Sequence, residues 1–208
     1  MRRRQSDLPG SLSRLDRAFY ERPADVVAPD LLGKVLVHVQ DAVRLSGRIV
    51  ETEAYFGNSD PGSHAFRGPT ARNRVMFERA GYLYVYMSYG MHACMNVVTD
   101  APGTAGAVLI RALEPMTGIE RMERNRGGRT DRELCNGPGK LCQALGITLA
   151  ENGADLVSST MWIEDDGYRP AGVRTSTRVG LSAGRDLPWR FYVPGSPYVS
   201  RGRPSGDR

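Results

Sequence analysis

Two glutamates two residues apart, Glu51 and Glu53, sit inside the run Arg48-Ile49-Val50-Glu51-Thr52-Glu53-Ala54-Tyr55. Its β-branched and apolar residues predict a strand. Alternation along a strand puts Ile49, Glu51, Glu53 and Tyr55 on one face and Val50, Thr52 and Ala54 on the other. A carboxylate in an apolar strand is costly to bury unless it is paired or used. Two readings stand at this point. Either this is an edge strand with both glutamates in solvent, or one of them serves as a general base, an effect worth about 10²–10⁴ in rate.

Other polar residues fall where core residues are expected. Asn96 lies in Cys94-Met95-Asn96-Val97-Val98 and Arg111 in Val108-Leu109-Ile110-Arg111-Ala112-Leu113. Buried polar groups need partners; for Arg111 a carboxylate such as Glu53 would serve, either at a site or as a structural ion pair. Tyr82, Tyr84 and Tyr86 share one strand face, which can stack a nucleobase or simply line a sheet core. Tyr89 stands just before Gly90 at the expected turn, placed to push into a base stack. His38 and His92 read as structural. His64 follows the turn-rich Asn58-Ser59-Asp60-Pro61-Gly62-Ser63 and precedes Arg67, Arg72 and Arg74; it is either a site residue or an exposed loop histidine. Asn136-Gly137-Pro138-Gly139-Lys140 opens an apolar helix, either as an ordinary cap or as a phosphate contact.

The remaining composition narrows the chemistry. The 208 residues carry a formal charge of +5, with 40% hydrophobic and 25% charged residues, which suits a globular core and a polyanionic partner. Lys34 and Lys140 are the only lysines, so Schiff-base chemistry has few amines to use and plain hydrolysis is favoured. Three cysteines without regular spacing fit a reducing compartment, and the lack of a Cys-x-x-Cys pair argues against a zinc deaminase. No apolar run follows the basic start, so neither a signal peptide nor a membrane span is expected.

The elements that must hold these residues are mixed. Helical spacing links Leu12, Leu15 and Phe19, and short turns fit Val26, Val27, Leu31 and Leu32. Strands are predicted at 35–39, 48–55, 82–89, 91–98, 107–113, 161–163, 178–181 and 190–193, and helices at 117–126 and from Pro138. The order implies an α+β fold with mostly antiparallel pairing. No nucleotide-binding glycine loop is present. The expected organisation is a loose basic segment over 1–15, one domain over 16–200, and a loose basic tail over 201–208.

Taken together, the segments 48–55, Gly81 to Met91, Leu109 to Pro115, Asn136 to Leu145 and Arg190 to Ser200 resemble the alkyladenine (3-methylpurine) DNA glycosylase family. The resemblance implies a single domain with a curved, mostly antiparallel sheet, flanking helices and a protruding hairpin that inserts into DNA. It implies no metal and no cofactor. Glu53 matches the general base and Arg111 the residue that helps hold the water and the glutamate. Tyr55 and His64 match residues that sandwich a flipped base, with Tyr86 stacking beside His64. Asn96 matches a residue that crowds the exocyclic amino group of guanine. Tyr89 matches a tyrosine wedged into the minor groove, with Met91 beside it. Thr70, Arg72, Met76, Gly139 and Lys140 fall at DNA-contact positions. Ala71 departs from the family pattern, where proline is expected, which bears on substrate breadth.

The function this implies is hydrolytic release of damaged purines from double-stranded DNA by a cytoplasmic, nucleoid-associated monomer that hands its product to downstream repair enzymes. The competing readings are a metal-dependent nuclease built on Glu51, Glu53 and Asp60, a damage-binding protein without turnover, and an RNA-binding module.

Overall fold

The computed structural model describes residues 13–202. The basic ends at 1–5 and 203–208 lie outside that range, as does Leu12. Strand β1 (Ser13–Arg14) leads to helices α1 (Arg17–Tyr20) and α2 (Ala24–Asp30). Strands β2 (Val35–Gln40), β3 (Val43–Tyr55), β4 (Leu83–Ser88), β5 (His92–Thr99) and β6 (Gly106–Thr117) follow. Next come α3 (Ile119–Asn125), α4 (Pro138–Leu145), β7 (Met161–Asp165), β8 (Arg174–Ser176) and β9 (Arg190–Tyr192). The sheet runs β1-β7-β2-β3-β6-β5-β4, with β9 paired to both β3 and β8. All the pairings are antiparallel and the sheet stays open. This is the α+β, single-domain architecture that the mixed order of elements implied.

Alternation divides the sheet into two faces. Leu83 and Val85 of β4, Met95 and Val97 of β5, and Val108 and Ile110 of β6 enter the main core with α2 and α4. Their neighbours Tyr84, Val98 and Ala107 build a second cluster with Ala65 and Met76, against which Tyr86 packs. Helix α4 starts at Pro138, whose missing N–H costs nothing there, and ends at the left-handed Gly146 (φ 67°).

Two of the expected elements are corrected. The helical turn through Leu15 and Phe19 is split, because Leu15 N–H bonds to Ile163 O (2.9 Å) as a continuation of the sheet. Asp16 then caps a separate helix by accepting from Phe19 N–H at 3.0 Å. Arg178–Leu181 is not a strand. The Arg178 side chain is drawn inward to Asp60, and the Val179 N–H is taken by a carboxylate rather than a ladder carbonyl.

The centre of the fold is β3, which pairs with β6 along one edge and with β2 and then β9 along the other. Ile49 lies opposite Leu113 and Glu51 opposite Ala112, so Val50 is an extra residue; Thr52 lies opposite Ile110, so Arg111 is extra on β6. Such paired bulges re-aim side chains. They also overturn the simple face assignment. Ile49 joins the main core with Ala54, while Glu51 and Glu53 turn towards Arg111. Thr52 faces α2, donating to Ala28 O at 2.8 Å.

The loop between β3 and β4 is tied down by charge. Asp60 and Arg178, both fully buried, form a two-pronged pair at 2.6 and 2.7 Å. Asp60 also accepts from Phe56 and Gly62 N–H. Asn73 closes the loop by donating to His64 O and Gly68 O. Removing one partner of such a pair strands a buried charge. Asp60→Ala should therefore lower unfolding free energy by about 3–5 kcal/mol, read as a lowered urea midpoint. A loss under 1 kcal/mol would show that water already reaches Arg178.

Candidate active site

Glu51 and Glu53 are both fully buried, so this is no edge strand with its glutamates in solvent. Glu53 accepts three hydrogen bonds, from Tyr55 Oη (2.8 Å), Arg111 Nη1 (3.2 Å) and Val179 N–H (2.7 Å). Burial raises the Tyr55 pKa, and the adjacent Glu53 charge raises it further, so the phenol remains a donor. Burial pulls the Arg111 pKa down, but Glu53 and Glu51 more than offset this and hold it above the ordinary guanidinium value.

All three partners of Glu53 line one cavity of about 380 Å³, together with His64, Arg72, Tyr86, Tyr89, Cys94 and Pro138. A smaller inner cavity of about 60 Å³ adjoins it, walled by Tyr55, His64, Met76, Tyr84, Tyr86 and Asn96. Tyr55, His64, Tyr86 and Leu181 border both. Of the residues singled out beforehand, the structure thus gathers Tyr55, His64, Tyr86, Asn96, Arg72, Tyr89, Met76 and Arg111 around one space, with Glu53 one hydrogen bond behind its wall. Met76 is buried at the inner end rather than on the protein surface.

The aromatic walls are held from outside. His64 Nδ1 lies 3.0 Å from Tyr84 Oη, and its ring meets Tyr86 edge-on at 4.5 Å. Tyr84 and Tyr86 stack at 5.5 Å. The Arg178 guanidinium backs the Tyr55 ring at 4.5 Å. Asn96 Nδ2 donates to Tyr84 O at 3.2 Å across the β4–β5 pair. Partial burial lowers the His64 pKa below the ordinary 6.5, and the Arg72 charge lowers it further, so the ring is neutral at pH 7.

The other expected contact residues lie around this centre. Tyr89 is 87% and Met91 71% exposed at the tip of the β4–β5 hairpin. Tyr89 (φ 50°) and Gly90 (φ 70°) are both left-handed, and Met91 N–H donates to Ser88 O at 3.1 Å. Two positive φ values suit a hairpin's twist, but a tyrosine there is strained. Thr70 sits on the loop beside Asn73. Met91 and Gly139 border a separate groove on the α4 side of the hairpin. Gly139 has a packing reason of its own, since a Cβ there would meet His92 Cβ at 2.8 Å. Lys140 donates to Asn136 Oδ1 at 2.7 Å. His38 is structural, with Nδ1 2.8 Å from Leu145 O.

The three carboxylates of the nuclease reading do not converge. Asp60 is held by Arg178, and among the described residues no group of three His, Cys, Asp or Glu is placed to bind a metal. No lysine lines either cavity among the described residues, and Lys34 is paired with Asp165 at 2.5 Å. Arg190, Ser200, Asn73 and the Val179 N–H were not singled out beforehand. The only sequence signal of the three side chains is a polar residue within an otherwise apolar or turn-forming stretch, and a backbone N–H carries none.

Comparison with known proteins places this arrangement in a class. The family model described as Methylpurine-DNA glycosylase (MPG) matches residues 18–197. A protein of Chlorobium luteolum named "Putative 3-methyladenine DNA glycosylase" is 48% identical over 196 residues, covering 93% of this chain and 100% of that one. Similar proteins under the same name occur in Prosthecochloris aestuarii (50% identical, 93% and 94% covered) and Burkholderia orbicola (47%, 98% and 99%). The chain belongs to the methylpurine-DNA glycosylase family. It is a DNA repair enzyme, a hydrolase that cleaves N-glycosyl bonds in alkylation-damaged DNA. No helix among the described residues is long and apolar enough to cross a membrane.

Two outcomes follow from the geometry. The His64 ring should titrate by NMR with a midpoint below 6.5, and Arg72→Ala should raise that midpoint because it removes a repelling cation. A midpoint above 6.5 in the wild type would contradict the burial described. Tyr89→Gly should leave stability unchanged or raise it by up to about 1 kcal/mol, since relief of left-handed strain outweighs the flexibility gained by the unfolded chain. A clear loss on thermal melting would mean the ring packs against the protein after all.

Proposed function

We propose that the enzyme rotates a damaged purine out of duplex DNA into the aromatic cavity and that Glu53 activates the water that displaces it. The observation that carries this reading is the buried Glu53 carboxylate one hydrogen bond behind a base-sized aromatic opening, with Arg111, Tyr55 and Val179 joining the two. The flipped base lies between Tyr55 and His64, with Tyr86 alongside and Asn96 facing its edge, where it crowds the amino group of guanine. Tyr89 fills the gap left in the stack, Met91 rests beside it, and Thr70, Arg72, Gly139 and Lys140 complete the DNA contacts, while Met76 closes the inner end of the cavity and meets the flipped base rather than the duplex.

Breaking the bond between C1′ and the base nitrogen leaves the electron pair on the base and builds an oxocarbenium-like sugar. Glu53 stabilises that charge and takes a proton from water as its oxygen bonds to C1′. A 3-methyladenine or 7-methylguanine departs readily because it is cationic in DNA and neutral once released. Hypoxanthine and ethenoadenine, which are neutral, need a proton as they leave. The abasic product passes to downstream repair enzymes.

The test is one assay. Methylated duplexes and duplexes holding hypoxanthine or ethenoadenine are incubated with chelator present, and released bases and abasic sites are counted. Wild type should release base unaffected by chelator. Glu53→Gln should lose about 10²–10⁴-fold in rate while still binding the damaged duplex. Base release by Glu53→Gln at the wild-type rate would defeat the mechanism, and direct strand cuts that chelator abolishes would defeat the activity.

A further inference from the structure

We propose that Glu51 is a positioning residue for the glycosylase reaction, acting through Arg111 to aim and share the guanidinium that faces Glu53. The inference rests on Glu53 as the base. Glu51 lines neither cavity and is fully buried, yet it collects four donors. Its Oε1 accepts from Arg111 Nε (3.1 Å), Arg190 Nε (2.7 Å) and Ser200 Oγ (2.9 Å), and its Oε2 from Ser200 N–H (2.6 Å). Ser200 Oγ also lies 3.5 Å from Arg111 Nη2.

The geometry fixes a plane. A guanidinium held through Nε cannot swing about its stem, so the remaining nitrogens of its rigid fork are aimed. With Nε on Glu51, Nη1 meets Glu53 and Nη2 meets Ser200. The β6 bulge at Arg111 provides the turn that lets one side chain reach both glutamates.

The charges also balance. Two buried carboxylates, Glu51 and Glu53, face two buried guanidiniums, Arg111 and Arg190. Arg190 stands opposite Glu53 in the β3–β9 register but is bonded to Glu51. Without Glu51, the charge of both cations would fall on Glu53 alone. The other groups facing Glu53 are Tyr55 on β3, Tyr86 on β4 and the Val179 N–H before β9; the same cavity brings in Cys94 on β5 and Arg72 on the loop before β4, and Arg178 stands behind the Tyr55 ring. Of these, Arg178 and Arg72 carry charges; Arg178 is matched by Asp60, and Arg72 lies over the Tyr86 ring at 5.4 Å.

The experiment is single-turnover base release from methylated duplex DNA across pH, with saturating enzyme, for Glu51→Gln, Glu51→Asp and Ser200→Ala. Folding is checked by thermal melting. Glu51→Gln should lose about 10²-fold in maximal rate, the scale of a misplaced reacting group, with half-saturation unchanged. Its acid limb should move to lower pH, because a negative charge has been removed beside the base. Glu51→Asp keeps the charge and loses the reach, so its rate should fall while the acid limb stays. Ser200→Ala should fold and lose about 10-fold in maximal rate, the scale of one hydrogen bond to a charged group. A folded Glu51→Gln with wild-type rate and pH profile overturns the proposal. If Glu51→Gln does not fold, a wild-type rate in Ser200→Ala overturns it. An active Glu53→Gln would instead defeat the base assignment itself.

Discussion

Burying two carboxylates two residues apart on the central strand is the constraint around which this molecule is organised. An ionised carboxylate taken out of water loses several kcal/mol of solvation unless cations and N–H donors replace it. Glu51 and Glu53 have no solvent exposure, and their donors come from β3, β6, β9 and the segments carrying Val179 and Ser200. The last third of the chain therefore has to return to β3. Without strand β9 and the residues on either side of it, the two charges would share Arg111 and lose the Arg190, Val179 and Ser200 donors.

The same compensation places the aromatic cavity. Tyr55 gives its hydroxyl to Glu53 and its ring to the opening, so the wall of the pocket and the buried carboxylate share one side chain. Arg178 and Val179 are adjacent and do two jobs. The arginine anchors the loop that carries His64 through Asp60, while the next N–H bonds to Glu53. A disturbance of the loop would thus reach the carboxylate by one peptide unit. The family match over residues 18–197 spans all of these parts except Ser200.

The hairpin that carries Tyr89 stands apart from this network. Its strands are built into the sheet, with Val97 and Val108 paired and Leu83 and Val85 in the main core, yet its tip is solvent-exposed and holds a tyrosine in a left-handed conformation. Strain at an exposed position that does nothing for packing is the kind of feature retained for use rather than stability.

Much of this was legible in the amino-acid order, because period-two alternation and turn chemistry are local. The strands at 35–39 and 107–113, the hairpin turning at Tyr89-Gly90, the helix starting at Pro138 and the α+β class all follow from neighbours along the chain. So does the suspicion attached to Glu53 and Arg111, each a charge in an apolar run. What needed the tertiary structure was the partnering of those charges. The bulges that detach Ile49 from the face of Glu51 arise from the mismatch between β3 and β6, which neither strand encodes alone. Asp60 meets Arg178 across 118 residues, and Glu51 meets Arg190 across 139 and Ser200 across 149. In a chain so rich in arginine, no local pattern says which guanidinium will face which carboxylate. A strand's pattern is set by the next residue or two, whereas a buried charge is satisfied by whatever the fold brings within 3 Å, and only the folded chain determines that.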